Sequence, residues 1–293
     1  MKYRFIDSEK PHHKVSHLCR VLGVTRAAYY ASKKRGPSAR QLHDEALSDW
    51  IEHFFERSRN TYGAPRIHAD FTLELGVPVG RKRVARLMRG LGIAGVSKRH
   101  GRRPVPKMPP ECEAAPDLIK RHFHASAPDE FWSADITYIR TREGWLYLAL
   151  VMDVFSRRIV GWSMAERLHA GIVVDAVRMA LTRRNPPPGL IHHSDRGSQY
   201  RSLLFGETLA GSKIAPSMGS RGDAYDNAIT ESVMSTIKSE LVEHQVFESK
   251  DLARLAVLDY IECFYNPHRR HSSLGHLSPM EFEAIMIPAA PAA

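Results

Sequence analysis

Apolar positions recur along the chain with two different periods, and the change of period divides it. From Val15 the residues Val15, Leu18, Cys19 and Leu22 fall at i, i+3, i+4 and i+7, one face of a helix. Gly23 permits a sharp turn, and Thr25 is placed to cap a second helix that begins Arg26-Ala27-Ala28-Tyr29-Tyr30. Residues 14–34 therefore read as a helix-turn-helix, whose second helix is expected to offer Arg26, Tyr29 and Lys33 to a DNA groove. The helical period returns through Ala46-Leu47-Trp50-Ile51-Phe54-Phe55. It continues past the Tyr62-Gly63-Ala64-Pro65 turn to about Leu75-Gly76, and then into a helix opened by Val79-Gly80. In that last helix Val84, Leu87, Met88 and Leu91 form an apolar stripe, while Lys82, Arg86 and Arg89 share another face with Arg83 beside them. A helix that is apolar on one side and cationic on the other suits docking on a phosphate backbone, or simply a solvated surface.

Beyond about residue 129 the texture becomes strand-like. Phe131 to Arg140, Trp145 to Phe155 and Arg158 to Met164 read as three strands of a meander, joined at Arg142-Glu143-Gly144 and Ser156-Arg157. A helix from Ala170 to Arg183 follows, with Ile172, Val173, Ala176, Val177 and Ala180 facing inward. The Pro186-Pro187-Pro188-Gly189 stop leads to a short buried strand, Leu190-Ile191-His192-His193. Further helices are expected near 201–210, 226–244 and 250–265. The pattern predicts an α/β fold: a ribonuclease H-like mixed-sheet catalytic core preceded by all-α helix-turn-helix modules. The expected organisation is a helix-turn-helix over 1–43, a second helix-turn-helix-like DNA-binding domain over 44–100 and a proline-rich linker over 101–124. The core then occupies 125–285 and a disordered tail 286–293. Pro104, Pro106, Pro109, Pro110 and Pro116 make the linker a semi-rigid spacer.

Charge sharpens this division. The 293 residues carry a net +10. Residues 1–110 hold 23 Lys/Arg against 9 Asp/Glu, a net of +14, and the remainder holds 19 against 23, a net of −4. Basicity confined to the front points to a polyanion-binding unit joined to a less basic one. Cys19, Cys112 and Cys263 are isolated, so neither a disulfide framework nor a zinc knuckle is expected. No apolar run approaches a membrane span, and a soluble cytoplasmic protein is expected.

The candidate chemistry lies in three acids: Asp135 in FWSADITYIR, Asp195 in LIHHSDRGSQY and Glu231 in GDAYDNAITESVMSTIKSEL. Asp135 is expected within the first strand, Asp195 just after the fourth and Glu231 on a helix beside both. Three converging carboxylates without His or Cys suit hard cations, Mg²⁺ or Mn²⁺, rather than zinc. Lys238 follows Glu231 by two helical turns and shares its face, a position from which it could grip DNA beside the metal ligands. Gly219, Gly222 and Asp226-Asn227 suit a loop that closes over substrate. Asp153, Asp175, Asp223 and Asp226 are competing carboxylates. His192, His193, Arg196, Ser198 and Gln199 either touch DNA or satisfy the strand end, and Trp132 and Trp145 read as core or sheet surface.

Asp135, Asp195 and Glu231 with Lys238 resemble the D-D-E pattern of retroviral integrases. The segments WSADITYI, HSDRGSQY and GDAYDNAITES, and the tail YNPHRRHSSLGHLSPMEF, resemble the second-frame transposases that bacterial insertion sequences make by frameshifting. The likeness runs from about residue 15 to 284. It implies a polynucleotidyl transferase in which Asp135, Asp195 and Glu231 hold two Mg²⁺ (or Mn²⁺) ions and a freed DNA 3′-hydroxyl attacks a second strand. The implied partners are double-stranded DNA (terminal inverted repeats and target) and further copies of the chain, with a first-frame partner or fusion left open. One departure from the retroviral pattern stands out: His13 and His17 have only Cys19 nearby, so no zinc module is expected. A ribonuclease H-like nuclease would need the acids but not the basic front, and a DNA-binding regulator the front but not the acids.

Overall fold

The computed structural model describes residues 2–96, 115–116, 118, 125–219, 228–243 and 245–287. Most of the expected linker, the candidate loop residues Gly222, Asp223, Asp226 and Asn227, and the tail from 288 lie outside the described residues.

Three short helices open the chain: α1 (Lys2–Glu9), α2 (Val15–Val21) and α3 (Arg26–Lys34). Gly23 takes the left-handed turn between α2 and α3, and Thr25 Oγ1 accepts from the Ala28 N–H to cap α3. Ile6, Leu18, Cys19 and Tyr29 form their common core. Helix α1 was not expected from the sequence; Ile6 supplies its only buried side chain.

Three longer helices follow, α4 (Ala39–Arg57), α5 (Ala64–Leu73) and α6 (Arg81–Gly90). Ser38 and Gln41 form a reciprocal capping box on α4, and Pro65 sits in the first turn of α5, where its missing N–H costs nothing. Leu47, Ile51, Phe54, Ile67, Phe71, Val84, Leu87 and Met88 pack together, with Phe54 and Phe71 edge to face at 5.2 Å.

The second half is built on β1 (Phe131–Thr141), β2 (Gly144–Asp153), β3 (Ile159–Ala165), β4 (Ile191–Ser194) and β5 (Ala215–Met218), in the order β3-β2-β1-β4-β5. β1, β2 and β3 pair antiparallel, whereas β4 runs parallel to β1 and β5 parallel to β4. The helices are α7 (Ala170–Arg184), α8 (Leu203–Gly211), α9 (Ala228–Ile237), α10 (Lys250–Tyr260) and α11 (Pro279–Met286). Single π-helical turns, Lys238–Val242 and Ile261–Tyr265, extend α9 and α10. One sheet face, with Trp132, Ala134, Ala149 and Val151, carries α7 and α8. Gly161 on β3 allows α7 to lie directly on the sheet, because a Cβ there would meet the Ala176 carbonyl oxygen at 2.1 Å. The other face, with Ile139, Leu146, Leu148 and Leu150, carries α9 and α10.

Helices α4–α6 belong to that second apolar cluster as well, so the linker separates the two halves in sequence but not in space. Polar ties reinforce the packing. Arg270 is nearly inaccessible and reaches Asp70 and Glu74 of α5, each at 2.5 Å, and Glu281 of α11. The Arg270 N–H donates to Tyr62 Oη. Arg269 grips both carboxylate oxygens of Glu240, which also accepts from Arg66 of α5 and Tyr260 Oη.

Candidate active site

Parallel pairing of β1 with β4 matches Phe131 with Ile191, Trp132 with His192 and Ser133 with His193. Two residues further along each chain stand Asp135 and Asp195, past the point where β4 leaves this ladder while β1 continues beside β2. Alternation along β1 puts Ser133 and Asp135 on the face that carries α9. There the buried Ser133 hydroxyl hydrogen bonds to the Thr230 hydroxyl. That bond fixes the first turn of α9 against the strand, and Glu231 is the next residue.

Asp135 feels the charges of the other two carboxylates. Asp135 is half-buried, and desolvation, followed by the negative charges of Asp195 and Glu231, pushes its carboxyl up to about 7. The Ile136 N–H, 2.7 Å from Asp135 Oδ1, and the Lys238 ammonium work in the opposite direction. Asp195 is exposed, and its Oδ1 accepts from the Gly197 N–H at 2.9 Å; Arg196 Nε donates to the Gly219 carbonyl, tying down the same loop. Glu231 is also exposed. Among the described residues no three His, Cys, Asp or Glu side chains stand close enough to hold a metal ion as they are. Buried near Asp135 and Asp195 lies Tyr200, whose ionisation is resisted by burial and by both carboxylates. It sits in the HSDRGSQY segment, but nothing in the sequence pattern singled it out.

Several sequence expectations are corrected. Tyr29 is core, not groove-facing: it is 3% exposed and its Oη donates to Asp7 Oδ1. Lys33 also pairs with Asp7 but, like Arg26, its side chain stays exposed. On α6, Arg83 and Arg86 both bind Asp44 of α4 at 2.7 Å, so an acid 39 positions earlier in sequence for Arg83 takes up their donors. Lys82 and Arg89 are exposed, and so is Arg86 despite its pairing with Asp44. His192 and His193 are buried and cannot reach DNA. Burial pushes His192 down to about 3, keeping it neutral, and His193 Nδ1 pairs with Ser217 Oγ. Among the competing carboxylates, Asp153 is fully buried and accepts from the Asp129 N–H and from Ser156, a structural role; Asp175 is paired with Arg178 on its own helix. Trp132 is core and Trp145 lies on the sheet surface. The hub formed by Glu240, Arg269, Arg270 and Asp70 was not foreseen, since its members are far apart in sequence.

Comparison with known proteins agrees with this architecture. Two family models described as integrase core domain match residues 125–224 and 212–279, and one described as HTH-like domain matches 42–101. Transposase InsF for insertion sequence IS3A of Escherichia coli (strain K12) is 39% identical over 285 residues, 97% of this chain and 98% of that protein. A 31 kDa protein of insertion element IS600 from Shigella sonnei is 41% identical over 265 residues, 90% of this chain and 97% of its own length. A chain of the cryo-EM structure of the simian T-cell lymphotropic virus intasome, in complex with PP2A regulatory subunit B56 gamma, shares the fold. Its TM-score is 0.50 at 13% identity, covering 83% of this chain and 75% of that one. With near-full-length identity to such relatives and an integrase core behind an HTH-like domain, the chain belongs to the IS3 family of insertion-sequence transposases.

Proposed function

We propose that this transposase cuts and joins DNA strands at Asp135, Asp195 and Glu231, and that these three side chains are its metal ligands. The observation that carries the reading is a half-buried Asp135 whose ionisation is opposed by the charges of two exposed acids, Asp195 and Glu231. A divalent cation between them removes that opposition, and an all-oxygen donor set fits Mg²⁺ or Mn²⁺. When bound, two such ions supply activation of the attacking oxygen and stabilisation of the departing one. The protein's own contribution is placement. The Ser133–Thr230 bond holds α9 to β1, the Gly197 N–H orients Asp195, and Lys238 offers a cation beside Asp135 for a phosphate.

The basic front, through Arg26, Lys82 and Arg89, holds the terminal inverted repeats, and synapsis of two ends calls for at least two copies of the chain. The site of action is the cytoplasm, on the nucleoid; among the described residues no helix is long and apolar enough to cross a membrane. A first-frame partner or frameshift fusion is compatible with this scheme. Strand-transfer assays on labelled element ends test the reading: joining supports it, cleavage alone favours a nuclease, and binding alone favours a regulator.

A further inference from the structure

On β1 and β2, Tyr138 pairs with Tyr147 and Arg140 with Trp145, so Tyr138, Arg140 and Trp145 project from one face of the sheet. This is the face that carries α7 and α8, yet Tyr138 and Trp145 extend beyond their cover and are 50% and 48% exposed. Their rings meet edge to face at 5.1 Å. β4 accompanies β1 only as far as Ser133. Past that point Lys238, arriving from the α9 side, sets its ammonium 5.0 Å from the centre of the Tyr138 ring while still acting on Asp135. Lys238 therefore links Asp135 on one face of β1 to two exposed aromatic rings on the other, with the exposed Arg140 beside them. Three residue steps along the strand lead from Asp135 to Tyr138, about 10 Å, or roughly three base-pair rises along one DNA strand.

We propose that Trp145, braced by Tyr138 and Lys238, is a stacking platform for an unpaired base beside the strand break, with Lys238 and Arg140 holding the adjoining phosphates. The proposal rests on the DNA-processing reading above and adds a preference for locally unpaired DNA. Every base has a π face, so stacking on an exposed indole tolerates any sequence, and cations beside it match the backbone that must accompany the base. Cross-strand pairing of the same two rings would stiffen the hairpin but would leave the choice between paired and unpaired DNA untouched.

The experiment uses the full chain, with Ca²⁺ in place of Mg²⁺ so that binding is read without turnover. Fluorescence anisotropy compares a blunt duplex with the same duplex carrying a short single-stranded 3′ extension. Contacts made by the basic front are common to both probes and cancel in the ratio of affinities. The wild-type chain should prefer the extended probe. Trp145→Ala should lower that preference about tenfold, the scale expected for one stacked base. Trp145→Phe should keep most of it, and blunt-duplex affinity and melting temperature should stay at wild-type values. A wild-type chain without the preference, or a Trp145→Ala chain that retains it, overturns the platform. Wild-type strand-transfer assays in Mg²⁺ report separately on the catalytic reading, so either can fail without the other.

Discussion

Arg270 and Asp70, 200 positions apart in sequence, meet at 2.5 Å with side chains only 4% and 2% exposed. This contact joins the end of the catalytic half to α5 of the HTH-like domain. Burial outweighs the attraction of Arg270, and the Asp70 carboxyl is pushed up to about 6.

Replacing Arg270 by Met should destabilise the chain by about 3 kcal/mol, because the buried Asp70 loses its closest cation and keeps only Arg57, 3.6 Å away. The loss should depend on pH. An unfolded Asp ionises near 3.8 whereas folded Asp70 ionises near 6, so the penalty of burying its charge is absent below the first value and complete above the second. Removing Arg270 raises the folded value further. Chemical denaturation should therefore show a deficit that is largest at pH 8, shrinks as the pH falls toward 6, and has lost its charge-dependent part below that. A deficit that does not vary with pH would contradict this.

Asp135 should respond to its neighbours. In the metal-free protein its carboxyl, held near 7, should titrate lower once Asp195→Asn removes one of the opposing charges. It should stay above 3.8, because burial, the larger cause, remains. Carboxyl ¹³C NMR reads the titration directly. An unchanged midpoint would mean that the two acids are not coupled.

Lys238→Ala should weaken productive engagement of DNA and leave metal affinity near wild type, while Lys238→Arg should be milder because the charge survives. Titration of DNA in joining assays and calorimetry with Mn²⁺ separate the two effects. Wild-type joining by Lys238→Ala at limiting DNA would remove Lys238 from the site.

On α6, Lys82 and Arg89 should matter more than Arg86, which is tied to Asp44. Lys82→Ala and Arg89→Ala should each lower the slope of log affinity against log salt by about one. Arg86→Ala should change it less, since Asp44, shared with Arg83, already engages that guanidinium. Equal effects of all three would show that the Asp44 pairing opens when DNA binds.

The sheet was largely legible in the sequence. The β-branched and aromatic residues of β1, the near-continuous apolar run of β2 and the apolar stripe of α7 gave their bounds to within a residue or two. β5 was missed because four residues containing Pro216 carry no periodic signal, although an edge strand accepts such a proline. α11 was missed even though Ser278 and Glu281 spell a capping box, a local cue that was present. Among the proposed site residues, acids in distinctive segments could be named from sequence. Tyr29 could not be placed as core, nor the pairing of Arg83 and Arg86 foreseen, because helical periodicity shows which face a residue occupies but not the acid that waits across from it. Asp7 and Asp44 on neighbouring helices decided those three. The Arg270 hub was illegible for the same reason over a longer span.

The most direct test is strand transfer in Mg²⁺ by Asp135→Asn, Asp195→Asn and Glu231→Gln, with Asp175→Asn on α7 as the control. Each of the three substitutions keeps the side-chain shape and removes one negative ligand. Each should abolish cleavage and joining by several orders of magnitude, since residues that act as a unit lose function together. DNA binding should persist or tighten as repulsion of phosphate falls. Near-wild-type joining by Asp195→Asn, with loss of joining by Asp175→Asn, would contradict the assignment.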